Sequence, residues 1–302
     1  MSAAPIDRTD AFARLRGLRA CDPGAIRRAM AGRRRRELLR GDGRLFIVAA
    51  DHPARGALAV GGAADAMGDR YELLERLSVA LSHPGVDGVL GTPDIIEDLA
   101  LLGLLDDKIV VGSMNRGGLR GAVFEMDDGF GSYTVPAMVE SGVDLAKTLL
   151  RVNLEDPSTA RTLSATAEAV TAAAAVGLPI LLEPFMSSWQ EGRIVNDLST
   201  EATILSIAIA AGLGTSSAYT WLKLPVVADM ERVMAATTLP TLLLGGDSGA
   251  DPDETFAAWE DALSLPGVLG LTVGRTLLYP HDDDVALAVD TAARLVHTDP
   301  TH

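Results

Sequence analysis

A lysine stands in the middle of the short apolar run SAYTWLKLPVV, residues 217–227. The chain has 26 basic residues, and only Lys108, Lys147 and Lys223 are lysines. Arginine is used almost everywhere that a solvated positive charge would serve, and arginine keeps its proton where a lysine can lose it. Both Lys147, in VDLAKTLLRVN, and Lys223 lie inside apolar runs. An amine held among apolar and aromatic side chains loses hydration, which favours its neutral form. A neutral amine can attack a carbonyl carbon and form a Schiff base. A structural lysine paired with a carboxylate is the competing reading, and the strand context alone leaves both open.

Other residues of the same kind surround these two in the pattern. Period-two alternation puts Tyr219, Trp221 and Lys223 on one face of a strand, and Arg151 in phase with Lys147. A second cation near Lys223 disfavours its protonated state. Lys147 could equally hold an anionic substrate group, poise a water or form an ion pair. Glu183 ends LPILLEP beside a proline, where a buried carboxylate could shuttle protons during carbinolamine formation and dehydration. It could also serve as a partner for Lys147. RLFIVAAD ends in Asp51, followed by His52, and either could bond a substrate hydroxyl. LLLGGDSG supplies Gly245, Gly246, Asp247 and Ser248, and LTVGRTLL supplies Gly274 and Arg275. Glycines allow the backbone to approach an anion closely, and an arginine can grip two oxygens of a phosphate.

These residues need elements to position them, and the chain alternates strand-like and helix-like segments throughout. After an N-terminal helical region up to about Arg40, eight strand candidates follow: RLFIVAAD, VDGVLGT, KIVVGS, VDLAKTLLRVN, LPILLEP, AYTWLKLPVV, TLPTLLLGG and GVLGLTVGR. A helical pattern follows each. Eight such units predict a single (β/α)8 barrel over residues 1–302, with residues 1–43 as a helical extension. A doubly wound open sheet is the alternative. In a barrel, chemistry gathers at the C-terminal ends of the strands, and the loops after strands seven and eight commonly bind phosphate. Each candidate residue falls in such a place.

Composition bounds the rest. The 302 residues are 48% hydrophobic with a net charge of −15. A surface of that sign repels nucleic acid, while small anions read local groups instead. The run Arg33-Arg34-Arg35-Arg36 is expected to form a solvated face of the N-terminal helix, in preference to an anion patch. A single cysteine, Cys21, allows no internal disulfide and fits a reduced cytoplasm. No stretch approaches ~18 consecutive apolar residues, so a soluble cytoplasmic protein with no membrane partner is expected. No multi-histidine ligand cluster is visible, so neither metal nor other cofactor is expected.

The set AADHPARGA, DLAKTLLRVN, LLEPFM, YTWLKLPV, LLLGGDSG and VGR resembles the class I aldolases of the deoxyribose-phosphate / tagatose-bisphosphate aldolase superfamily, most closely the tagatose-bisphosphate-like branch. The resemblance runs from about residue 45 to 280. It implies that Lys223 forms the Schiff base, with Lys147, Glu183 and Asp51 as catalytic partners. It also implies that Gly245, Gly246, Gly274 and Arg275 bind phosphate, to which Ser248, Arg151 and His52 are added as substrate contacts. Two features depart from that pattern. His52-Pro53 after the aspartate is closer to the Asp-His of the archaeal fructose-bisphosphate aldolase branch, and the loop NRGGLRGAVFEMDDGFGS has no counterpart. The arginine- and alanine-rich composition is similar to that of actinobacterial aldolase-like barrels of inositol catabolism, which implies 2-deoxy-5-keto-gluconate 6-phosphate as substrate. The expected function is therefore metal-independent cleavage of a phosphorylated keto sugar, either that compound or a tagatose- or fructose-bisphosphate-like one, by a homo-oligomer. A non-catalytic sugar-phosphate sensor and a metal-dependent barrel lyase are the alternatives.

Overall fold

Eight parallel strands close on themselves in the computed structural model, which describes residues 8–115, 118–246 and 251–297. In chain order the strands are β1 (Leu45–Ala49), β2 (Gly88–Gly91), β3 (Ile109–Ser113), β4 (Leu145–Val152), β5 (Ile180–Gln190), β6 (Arg193–Asp197), β7 (Thr220–Leu224), β8 (Thr241–Leu244) and β9 (Val268–Val273). β4 pairs with β5 and β1 with β9, which completes the ring, and only β6 stands outside it. The fold is a (β/α)8 barrel.

Alternation along each strand separates two cores. Ile47, Val111, Leu145, Leu181, Trp221 and Leu242 fill the barrel interior. Residues in the opposite phase, such as Phe46, Val89, Leu182 and Leu222, pack outward against the helices. In chain order the α-helices among the described residues are α1 (Arg8–Cys21), α2 (Gly24–Gly32), α3 (Arg70–Ser82), α4 (Pro93–Leu101), α5 (Val135–Ser141), α6 (Ser158–Val176), α7 (Thr200–Ala211), α8 (Met230–Met234), α9 (Pro252–Leu263), α10 (Arg275–Leu278) and α11 (Val285–Val296). Their starts are set by local chemistry. Asp69 accepts from the Tyr71 and Glu72 amides to cap α3, and Ser199 accepts from the Ala202 amide to cap α7. Among the described residues no helix is long and apolar enough to cross a membrane.

Three expectations are corrected. Strand five does not stop at its proline. β5 continues to Gln190 and turns back into antiparallel β6. Glu191 and Gly192 both have positive φ, 49° and 75°, as a two-residue type I′ turn requires. The arginine run is not a helix face. The helix α2 (Gly24–Gly32) ends before it, and Arg33–Arg36 follow in extended chain. Arg33 and Arg35 both bond Asp144, Arg34 bonds Asp107, and Arg36 bonds the buried Asp87. These contacts clamp the chain against the start of the barrel, and Leu38 and Leu39 then pack on the interior cluster. Tyr219 does not join Trp221 and Lys223 inside. It precedes β7, is exposed, and lies beside Gly177 at the N-terminal end of the strands.

Candidate active site

Four buried ionisable side chains meet at the C-terminal ends of the strands. Lys223 of β7 lies 2.7 Å from Glu183 Oε1 of β5. Lys147 of β4 lies 2.6 Å from Glu183 Oε2 and 3.0 Å from Asp51 Oδ2, just past β1. Ser113 of β3 donates to the same Asp51 oxygen at 3.1 Å. Lys223, Glu183, Lys147 and Asp51 thus form one alternating chain of amines and carboxylates across the barrel. Strand register makes it possible. Lys147 stands opposite Ser113 on β3, and Glu183 lies two residues past Leu181, which stands opposite Lys147.

The charges hold one another. Burial raises the Glu183 carboxyl, but Lys147 and Lys223 outweigh it and bring the pKa down to about 2. Burial acts likewise on Asp51, and Lys147, His52 and Lys223 pull it well below the usual carboxylate range. Burial disfavours the Lys147 ammonium, yet Asp51 and Glu183 leave its pKa raised, so it stays a fixed cation. His52 is pushed down to about 4, mainly by burial against the opposing pull of Asp51, with Arg275, Lys223 and Lys147 adding to the fall. It is neutral near pH 7. Its Nδ1 is buried without a hydrogen-bond partner, 3.9 Å from Asp51 Oδ1.

The cavity above this chain has a volume of ≈ 1170 Å³. Its lining inverts the charge of the whole protein. Seven basic residues (Arg55, Arg120, Lys147, Arg151, Arg193, Lys223, Arg275) face four acidic ones (Asp51, Glu125, Glu183, Glu254). On one side lie Gly245, Gly246, Gly274 and Arg275. A Cβ on Gly274 would sit 2.4 Å from the Ala49 carbonyl oxygen and 2.9 Å from the His52 ring. One on Gly245 would sit 2.5 Å from Val273, and Gly246 has φ 73°. Arg275 opens the short helix α10 (Arg275–Leu278) and donates to the Ala59 carbonyl at 3.4 Å. Asp247 and Ser248 lie outside the described residues.

Arg151 lines the cavity from β4, but its guanidinium is engaged by the loop after β3. It donates to Glu125 Oε1 at 2.7 Å and to the Glu125 carbonyl at 2.6 Å, with Asp128 at 3.6 Å. Sequence reasoning brought Lys223, Glu183, Lys147, Asp51, His52 and the glycines to one place. It missed Arg55, Arg120, Glu125 and Arg193, which also line the cavity. The Glu-Gly turn in SSWQEGRIVND could have revealed the hairpin that carries Arg193. Among the described residues no group of three or more His, Cys, Asp or Glu side chains is placed to hold a metal ion.

A family model described as Cgl0159-like matches residues 43–293. The crystal structure of Cgl0159 from Corynebacterium glutamicum is 69% identical, covering 98% of this chain and 100% of that one with a TM-score of 0.96. A Schiff-base-forming fructose-1,6-bisphosphate aldolase is 19% identical over 90% of this chain and 100% of that one, with a TM-score of 0.63. An archaeal fructose-1,6-bisphosphate aldolase, solved with its catalytic lysine bound to the carbinolamine intermediate, is also 19% identical. It covers 90% of this chain and 99% of that one, with a TM-score of 0.62. At such identity the likeness is one of fold. No curated protein matches the chain.

Proposed function

The chain belongs to the Cgl0159-like family, and from that premise we propose that it is a class I aldolase-type lyase acting on a phosphorylated keto sugar through a Schiff base on Lys223. The observation that carries this reading is the buried Lys223–Glu183–Lys147–Asp51 chain at the floor of a cationic cavity. Two lysines bridged by one carboxylate place a nucleophile, a proton carrier and a fixed cation within reach of one carbonyl group. The likeness of fold to Schiff-base aldolases supports the reading.

The chemistry follows from the partners. Lys223 hands a proton to Glu183 Oε1, and its lone pair attacks the substrate ketone carbon. Lys147 keeps its proton and stabilises the oxygen that becomes negative in that step. Proton return through Glu183 expels this oxygen as water and leaves an iminium. Asp51 Oδ2 is occupied by Lys147 and Ser113, whereas Oδ1 has no ammonium against it. Asp51 is therefore the base that takes the substrate hydroxyl proton as the neighbouring carbon–carbon bond breaks. The bond's electrons move into the iminium to give an enamine, and the aldehyde half departs. Protonation of the enamine carbon and addition of water release the ketone half and restore Lys223. Gly245, Gly246, Gly274 and Arg275 hold the phosphate beside the ketone.

Borohydride trapping with dihydroxyacetone phosphate tests this reading. The wild-type protein should gain a stable adduct on Lys223 by intact and peptide mass. Lys223→Arg should remain folded by melting temperature, show no adduct, and lose roughly 10³-fold or more in turnover, as befits loss of a covalent nucleophile. No adduct on the wild-type protein, or one on a different residue, would remove Lys223 from this role.

A further inference from the structure

His52 lines the cavity, yet no step of the proposed cleavage uses it. It follows Asp51 directly and leads into the 3-10 turn Pro53–Arg55, where its carbonyl accepts from the Arg55 and Ala57 amides at 3.1 and 3.3 Å. Its ring stands beside Gly274, and its Nδ1 is 3.9 Å from Asp51 Oδ1. Nδ1 is sealed from solvent and has no hydrogen-bond partner. The side chain is nonetheless 25% exposed, and Nε2 makes no hydrogen bond among the described residues. The open edge of the ring is therefore the Nε2 edge, toward the cavity. A buried ring nitrogen left unpaired costs free energy, which a catalytic role can justify. One step of the cleavage has no assigned proton donor. After the carbon–carbon bond breaks, the enamine carbon of the ketone half needs a proton. In the proposed reading that half spans Lys223 and the phosphate held by Gly274 and Arg275, so it passes His52. Lys147 cannot serve, because two carboxylates hold its proton.

We infer that His52 is the catalytic residue that protonates the enamine carbon from Nε2, after Nδ1 receives from Asp51 the proton taken from the substrate hydroxyl. This deepens the proposed reading of the site and rests on it. A closing of about 1 Å brings Nδ1 and Asp51 Oδ1 to hydrogen-bonding distance. The protons balance. The hydroxyl hydrogen passes to Asp51 Oδ1 and on to Nδ1, which makes an imidazolium. The Nε2 hydrogen then moves to the enamine carbon, and the enamine becomes the iminium that water hydrolyses. His52 ends neutral with its hydrogen on Nδ1, and exchange with water at the open edge resets the ring. The surrounding charges favour this order. In the free protein burial opposes a proton on the ring, and Arg275, Lys223 and Lys147 add to that opposition. Once a phosphate offsets Arg275 and Lys223 is an uncharged enamine, two of those cations no longer oppose it, while Asp51 still attracts it.

Hydrogen exchange into dihydroxyacetone phosphate in deuterated water, followed by NMR, isolates this step. Exchange at the hydroxymethyl carbon needs the Schiff base and the enamine but breaks no carbon–carbon bond. The wild-type protein should exchange that hydrogen. His52→Gln should slow exchange about 10²-fold or more, the usual contribution of a positioned acid–base group, while borohydride still traps the adduct on Lys223. His52→Ala should be as slow, and free imidazole should restore part of the lost rate, which it could not do for a merely structural histidine. Melting temperature and the trapped adduct report whether each variant is folded, and either variant alone decides the question. Exchange by His52→Gln at the wild-type rate overturns the inference. So does slow exchange by His52→Ala that imidazole leaves untouched, or a wild-type adduct that exchanges nothing. A wild-type protein that traps no adduct on Lys223 removes the lyase reading instead, and this step with it.

Discussion

Glu183 is the residue on which the site turns, because both of its oxygens are taken by amines. Removing its charge leaves two lysines facing each other in a buried space. Glu183→Gln keeps the side-chain shape, so the expected stability loss of about 3–5 kcal/mol comes from the uncompensated charges rather than from packing. Turnover should fall by roughly 10²- to 10⁴-fold, the usual contribution of a positioned acid–base group. Urea denaturation of Glu183→Gln, Lys147→Met and the double variant forms a cycle that measures the pairing. The double variant should lose less than the two single losses summed, since Lys147 and Glu183 no longer leave each other unpaired, while Asp51 loses its ammonium in both Lys147 variants. If the two losses add without coupling, the Lys147–Glu183 contact has no energetic weight.

At the scale of the element, the end of β9 is built around close backbone approach. Gly274 sits where a methyl group would strike the Ala49 carbonyl of the neighbouring strand and the His52 ring. Gly274→Ala must therefore push β9 away from β1 and turn α10, which carries Arg275. The expected cost is about 1–3 kcal/mol of stability, as for other overpacked sites. Calorimetry should also show weaker binding of glucitol 6-phosphate, because Arg275 leaves its place with the helix. Unchanged binding at lowered stability would mean that α10 does not position the phosphate. The hairpin β5–β6 works differently. β6 lies outside the closed ring to which β5 belongs, and its backbone pairing with the end of β5 serves to hold Arg193 and Asn196 at the cavity.

Across the whole molecule, the end opposite the cavity is clasped by charge. His297, after α11, has Nδ1 at 2.5 Å from Asp42 and Nε2 at 3.1 Å from Asp87. Its pKa is raised, first by Asp87, with burial opposing and Asp42 adding. A raised histidine stabilises fully below its unfolded pKa of about 6.5 and loses that contribution as pH climbs through its folded value. Asp87 is lowered. Burial opposes the shift, and His297 and Arg36 outweigh it, so its share is lost in acid. Lys108, brought down to about 8 chiefly by burial, changes with the opposite sign at higher pH. The melting temperature should therefore fall between pH 6 and 8 in the wild-type protein, and His297→Gln should flatten that fall. Parallel curves for the two proteins would show that the clasp is not protonation-dependent. At this scale, too, the limits of the sequence become plain. Period-two alternation is a local property, so the eight strands, the inward phase of Lys147, Glu183 and Lys223, and the glycine-rich strand ends were all readable along the chain. Apart from Glu183 as a partner for Lys147, which charges meet was not. Arg33 and Asp144 are 111 residues apart, Lys147 and Asp51 are 96 apart, and Tyr219 left the barrel face because β7 begins one residue after it. Arg55, Arg120 and Arg193 lie on irregular segments or a turn-flanked hairpin with no period to betray their direction. Only closure of the ring brings those loops over one cavity, because burial and neighbouring charge are properties of the packed chain and not of any stretch within it.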